Sequence, residues 1–210
     1  MTKDQLKSFV RTQIEDIDSQ NYQLSDTNFN IFLKEAEREA FERAKLGRIN
    51  QNITLVVDQA SYDLPFEIIE LIRVKISGEA RPLVKTTQRE LDFEISSWDA
   101  QPSSTPKYYY QVNDTITLYP TPDAVGTLLL DGYRYAEYEL ETPENLHESL
   151  GYWIMYRLYS IPDVDTSDAG KALLFESKFS DIFGHKKKQE FIETWRNGQP
   201  YSSMMAHPFN

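Results

Sequence analysis

Residues 108–171 read YYYQVNDTITLYPTPDAVGTLLLDGYRYAEYELETPENLHESLGYWIMYRLYSIPDVDTSDAGK, and their patterning decides the fold. The first part alternates aromatic and polar residues, as half-buried strands do, over 107–112 and 115–119. Asn113 and Asp114 sit between these two strands like a two-residue hairpin turn, although Gly would be favoured at the second place. Tyr119-Pro120-Thr121-Pro122 forces another turn. A third strand follows over 127–135. The period then changes. Thr142-Pro143-Glu144 offers a capping hydroxyl, a proline at the first helical position and an acid near the positive helix end. Leu146, Leu150, Trp153, Ile154 and Leu158 recur at helical spacing after it, and Pro162 stops that helix.

On the N-terminal side, residues 2–17 read as an amphipathic helix. Thr2 and Gln5 stand at capping-box spacing, and Leu6, Phe9, Val10, Ile14 and Ile17 form one apolar stripe. A second helix is expected from a cap at Ser25 or Asp26 to about Leu46, with Gly47 as its stop. Its stripe is Phe29, Leu33, Ala36, Ala40 and Ala44, with Phe32 and Phe41 at the edge. Glu35, Glu37, Arg38, Glu39, Glu42 and Arg43 read as a solvated face. The β-branched run Ile53–Val57 is a strand, and Gln59–Tyr62 starts its partner. Phe66–Ile76 is ambiguous between a helical turn and a strand. Residues 87–93 fit a short helix capped by Thr86 or Thr87, and 96–106 fit a loop. Beyond Pro162, a last helix is expected from about Thr166–Ser167 to about Trp195, which would be ~45 Å if straight. Gly184 could kink or split it.

The fold class is therefore α+β. A helical bundle is formed by the N- and C-terminal helices (1–50 and 142–196), with a central antiparallel β-rich insertion (51–141) and an extended C-terminal tail (197–210). The tail is NGQPYSSMMAHPFN, with little charge and no period. Its apolar residues Tyr201, Met204, Met205, Pro208 and Phe209 suit docking on another surface, because exposed Met and Phe favour burial.

The chain has 210 residues, long enough to bury a real core. It carries 13 Tyr and 11 Phe, which suit a core and a contact surface alike. The formal charge of −11 argues against a general nucleic-acid binder and against docking on an anionic membrane. It fits ordinary solubility. There is no Cys, which excludes disulfides and thiolate metal sites. The first residues lack a signal-peptide pattern, and no apolar run approaches the ~20 residues of a membrane span.

No set of residues points to chemistry. His147, His185 and His207 are far apart, and His147-Glu148 does not continue into HExxH. His147 reads as support for a helix start or an interface residue. Gly170-Lys171 lacks a phosphate-cradling loop and reads as helix interior. Asp163–Asp168 has two acids at calcium-loop spacing, but Asp168 stands where the turn Gly belongs and Leu174 where the bidentate acid belongs. The run from His185 to Lys188 reads as a solvated face late in a helix. The expectation is no catalytic residue, no metal and no cofactor.

The order of pieces resembles the head-to-tail connector, or adaptor, proteins of tailed bacteriophages, and most of all the tail tubular protein A type of short-tailed phages. The resemblance rests on Tyr62-Asp63-Leu64-Pro65, Pro106-Lys107-Tyr108-Tyr109, the Thr117–Pro122 turn, His147-Glu148 with Tyr156-Arg157-Leu158-Tyr159, and Gly170-Lys171-Ala172. It implies a structural virion protein, made in the host bacterial cytoplasm and placed in the neck. It implies a homo-oligomeric, dodecameric ring between the portal protein and a downstream tail or nozzle protein, through which DNA passes without sequence-specific binding and with no membrane involved. The tail residues named above would then reach the portal. A ring needs two different contact faces per subunit, and Tyr108, Tyr110, Tyr119, Tyr133 and Tyr135 are candidates for one of them. The rival reading of the residues is a non-enzymatic cytoplasmic α+β binding or scaffold module.

Overall fold

The computed structural model describes residues 1–16, 18, 22–162 and 167–186. The chain starts in helices, crosses to strands after Ala44, and returns to helices after Arg134. Helix α1 (Lys3–Gln13) is closed at its start by a capping box between Thr2 and Gln5, as the spacing predicts. It ends earlier than the stripe suggested, at Ile14, and Glu15 turns with a positive φ. Helix α2 (Asp26–Ala44) is capped by the Ser25 hydroxyl, which accepts from the Asn28 N–H.

The stop of α2 differs from the expectation. Lys45, not Gly47, takes the left-handed conformation. Gly47 already belongs to strand β1 (Gly47–Leu55), and its missing side chain has a different purpose. A Cβ there would stand 2.5 Å from the Arg134 carbonyl and 2.9 Å from the Phe41 ring. The glycine lets the first strand start tight against the helix it has just left.

Strand β2 is Ser61–Asp63 and β3 is Ile68–Ile76, so the ambiguous segment resolves as strand. A two-residue strand β4 (Val84–Lys85) precedes α3 (Gln88–Glu94), where Thr87 and Glu90 form a complete capping box. Strands β5 (Tyr108–Val112), β6 (Thr115–Tyr119) and β7 (Gly126–Arg134) follow the sequence reading within a residue. The β5–β6 hairpin closes with Val112 opposite Thr115 and Asn113 at φ 50°.

Two sheets result. One has the order β1-β7-β3, all antiparallel; the other has β2-β6-β5-β4, with β4 parallel to β5. Leu55, Val74, Ile76, Leu128 and Leu130 of the first sheet share one core with Tyr62, Tyr109, Ile116 and Leu118 of the second. The bundle has its own core. It joins Leu6 and Val10, then Phe29, Leu33, Ala36 and Ala40, then residues of α4 (His147–Tyr159) and α5 (Ala169–Phe183). Helix α4 is the hub, packed against α1, α2 and α5. Phe32 and Phe41 are fully within the buried side of α2, not at its edge.

The entry to α4 also departs from the sequence reading. Glu144–Leu146 forms a single 3-10 turn before the helix, and the buried Thr142 hydroxyl caps nothing. Asp168 caps α5 by accepting from the Lys171 N–H, and Gly184, at φ 90°, ends it. The expected continuation to Trp195 lies outside the described residues, as do Ile17, Phe191 and most of Asp163–Asp168.

Candidate functional site: the bundle–sheet junction and the outer faces

Because the chain crosses between bundle and sheets twice, near residues 44–47 and 134–147, the polar groups there fix one part on the other. From α2, Arg38 forks onto Glu67 (Nη1 to Oε2 2.9 Å) and lies 3.8 Å from the Tyr135 ring centroid. Tyr135 in turn donates to Glu42 at 3.5 Å. Lys45 pairs with Glu70 and sits over the Tyr133 ring. Arg134 pairs with Glu141. The Arg134 contact holds the Glu141 carboxyl below the ordinary carboxylate range, and Arg38 does the same to Glu67.

The centre of the junction is Glu37, only 3% exposed. Its carboxylate accepts from the backbone N–H of Thr142 at 3.4 Å, and the N–H groups of Leu140 and Glu141 also point at it. Burial pushes its pKa up, against the pull of those three donors. On the other side of the same turn, His147 Nε2 lies 2.8 Å from the Thr142 carbonyl, and Nδ1 lies 2.9 Å from the Met1 carbonyl. The 140–142 turn is thus held by α2 through its N–H groups and by α4 through its carbonyl. His147 supports the helix start, as the sequence suggested, and ties the N-terminus to it.

Reading Glu37 and Arg43 as part of a solvated face is overturned. Arg43 is enclosed between Trp153 and Phe179, with ring centroids 5.1 and 5.2 Å away. It bonds Glu39, Glu176 and Ser180 and so ties α2 to α5. The signal for Glu37 was in the spacing: it stands four residues after Leu33 and four before Phe41, inside the buried stripe. Charge alone concealed it.

The tyrosine candidates are engaged within the chain. Tyr109 is buried and Tyr108 and Tyr110 are half-buried on the opposite side, as strand alternation requires. Tyr108 stacks on Tyr119, and the Trp98 ring meets Tyr110 and Tyr119 edge-on at 6.2 and 5.7 Å. Tyr119 is buried, while Tyr133 and Tyr135 carry the cations named above. Tyr201, Met204, Met205, Pro208 and Phe209 lie outside the described residues. Other apolar residues are open to solvent, Tyr138, Val84, Ile72 and Val112 among them. Val56, Val57 and Val125 stand at the sheet end remote from the bundle, Phe93 on α3, Ile31 on α2, and Leu173, Leu174 and Ile182 on α5.

No cluster of His, Asp and Glu able to hold a metal occurs among the described residues, and no described helix is long and apolar enough to cross a membrane. Ion pairs thus brace two packed parts, and apolar side chains remain on the outer faces. The family described as SU10 adaptor protein matches residues 1–200, and the chain belongs to that family. Its role is accordingly that of a structural adaptor, in keeping with the bacteriophage head-to-tail resemblance at the family level; the tail tubular protein A type remains a likeness. No curated protein matches the chain.

Proposed function

We propose that this chain is a head-to-tail adaptor of the phage neck, forming a dodecameric ring between the portal and the tail that continues the DNA channel. The observation that carries this is the adaptor-family match over residues 1–200. Two features support it. The bundle and the sheets have separate cores joined by a braced junction, which suits a rigid spacer with a different contact at each end. The net charge of −11 suits a channel that must not hold DNA.

In this reading the partners are further copies of the chain, the portal protein and a downstream tail or nozzle protein. The tail residues Tyr201, Met204, Met205, Pro208 and Phe209 take the portal contact. The half-buried rings of Tyr108, Tyr110, Tyr133 and Tyr135 contribute their free edges to neighbours. No hydrolase, transferase or nuclease turnover is part of the role. The test is a phage in which this gene is interrupted. DNA-filled heads without tails, restored by the full chain but not by one ending at Gly198, are expected. Tailed infectious particles made without the chain would refute the reading, and particles completed by the shortened chain would refute the tail contact.

A further inference from the structure

Helices α2 and α5 turn one face each to α4 and the other outward. The outward face of α5 carries Leu173, Leu174 and Ile182, which are 71%, 52% and 44% exposed. That of α2 carries Ile31, 49% exposed. These are aliphatic side chains at positions where a solvated helix would carry charge.

The charges on the two helices are almost all paired inside the chain. On α2, Arg38 is held by Glu67, and Arg43 by Glu39 and Glu176. Lys34 remains on the exposed face without an ion pair among the described residues. On α5, Glu176 is taken by Arg43, Lys171 faces Asp168, and Lys178 lies over the rings of Tyr152 and Phe175. Asp181 remains, exposed and likewise without an ion pair among the described residues. Glu42 and Lys178 also lack an ion pair, but the Tyr135 hydroxyl engages Glu42 and the two rings engage Lys178. Lys34, which has Glu67 nearby, and Asp181 are the exposed charges of the two helices that no hydrogen bond, ion pair or ring contact holds among the described residues, and they are of opposite sign.

The spacing on the two faces also corresponds. Asp181 lies seven residues after Leu174 with Ser177 between them, and Lys34 lies seven after Thr27 with Ile31 between them. Seven residues are about two turns, ~10 Å, on both helices. With the helices side by side and parallel, Asp181 meets Lys34, and Ile31 meets the small Ser177 flanked by Leu173 and Leu174. Two different faces of one chain that complement each other form a heterologous contact, the kind that closes a ring.

We propose that α5 of one copy docks on α2 of the next, with Asp181 of the first paired to Lys34 of the second and Ile31 packed against Leu173 and Leu174. This rests on the ring reading above and names the faces that build the ring. Arg38 and Glu67 flank Lys34 and stay paired to each other.

The absence of cysteine makes the test clean. Lys34→Cys and Asp181→Cys are introduced together in the phage that encodes the chain, and purified particles are treated with a short bis-maleimide. A ladder of covalent multiples of the chain is expected from the double variant, with monomers only from each single variant. Chain present in the particles without a ladder overturns the contact and leaves the adaptor reading standing. Dimers from a single variant overturn it as well, because they need two copies of one face together. Absence of even the unaltered chain from particles overturns the adaptor reading itself. If the cysteine variant fails to incorporate, the exchange Lys34→Asp with Asp181→Lys decides. Each single change should reduce incorporation at least tenfold and the pair should restore it; failure of the pair to restore overturns the proposal.

Discussion

The bundle and the sheets differ in which aromatic residues fill their cores. In the bundle, Phe29, Phe179 and Phe183 are wholly interior, whereas the sheet core holds aliphatic residues with Tyr62 and Tyr109 and, among the described residues, no phenylalanine. At the sheets, Tyr108, Tyr110, Tyr133 and Tyr135 lie part-way between core and surface, Tyr108 stacked on Tyr119, Tyr110 edge-on to Trp98, Tyr133 under Lys45 and Tyr135 under Arg38 of α2. The tyrosines therefore have an internal use whatever their edges meet in an assembly. They brace the sheets and tie them to the bundle. Open apolar area lies, among other places, on Leu173, Leu174 and Ile31 of the helices, on Phe93 and on the valines of the sheet tip.

The largest effect should come from the bundle core. Phe179→Ala removes a ring that packs on Trp153 and Phe183 at centroid distances of 5.0 and 4.6 Å. A loss of about 3–5 kcal/mol is expected in denaturant unfolding of the purified chain. Leu173→Ser, on the outer face of the same bundle, should leave that curve in place. A fall comparable to that of Phe179→Ala would mean that α5 is buried on both sides in the isolated chain.

The sheet counterpart is Gly132→Ala. A Cβ on Gly132 would lie 2.3 Å from the Glu70 carbonyl oxygen, a backbone atom that cannot swing aside. The pairing of β7 with β3 must open, at a cost of about 1–3 kcal/mol in the same unfolding measurement. An unchanged midpoint would show that the bulged β3 edge yields freely.

Within the sheet, Tyr109→Ala should cost about 3 kcal/mol by thermal or chemical unfolding, because its ring is in the shared core. Tyr108→Ala should cost clearly less, since its ring is half exposed. Equal losses would remove the distinction between the two sides of β5.

The smallest effect separates the two glutamates of the junction. The pKa of Glu37 is raised on folding, so its ionised form opposes folding. Relative to Glu37→Gln, the unaltered chain should lose stability as pH rises from the ordinary carboxylate range through the raised value. Glu141 has a lowered pKa, so its contribution is present above the ordinary range and is lost as pH falls through the lowered value. Relative to Glu141→Gln, the unaltered chain should therefore lose stability toward acid. Unfolding curves across acidic pH check both signs, and slopes of the same sign would contradict the two environments.

Most of the secondary structure was legible because the local signals agreed. The capping box at Thr2, a cap at Ser25 or Asp26, a cap at Thr86 or Thr87 and the alternation in 108–119 each act over a few residues; the structure shows the first, and it takes Ser25 and Thr87 as the caps. What escaped was set by tertiary contacts. Gly47 looks like a helix stop but is required by the Phe41 ring. Thr142 looks like a cap, yet its backbone is claimed by Glu37 and His147. Glu37 and Arg43 look like surface charges, and only the arrival of residues 140–142 and of α5 makes them interior. The outer faces of α2 and α5 were hidden for the same reason, since no stripe in one helix says which charges its neighbours will consume.

The most direct test of the adaptor role is the mass of the neck assembly released from particles and measured intact. A closed ring of a dozen copies of this 24.5 kDa chain, attached to the portal, is the expected result. Necks that contain the portal and tail proteins but no copy of the chain, or the chain recovered only as a free monomer outside particles, would contradict it.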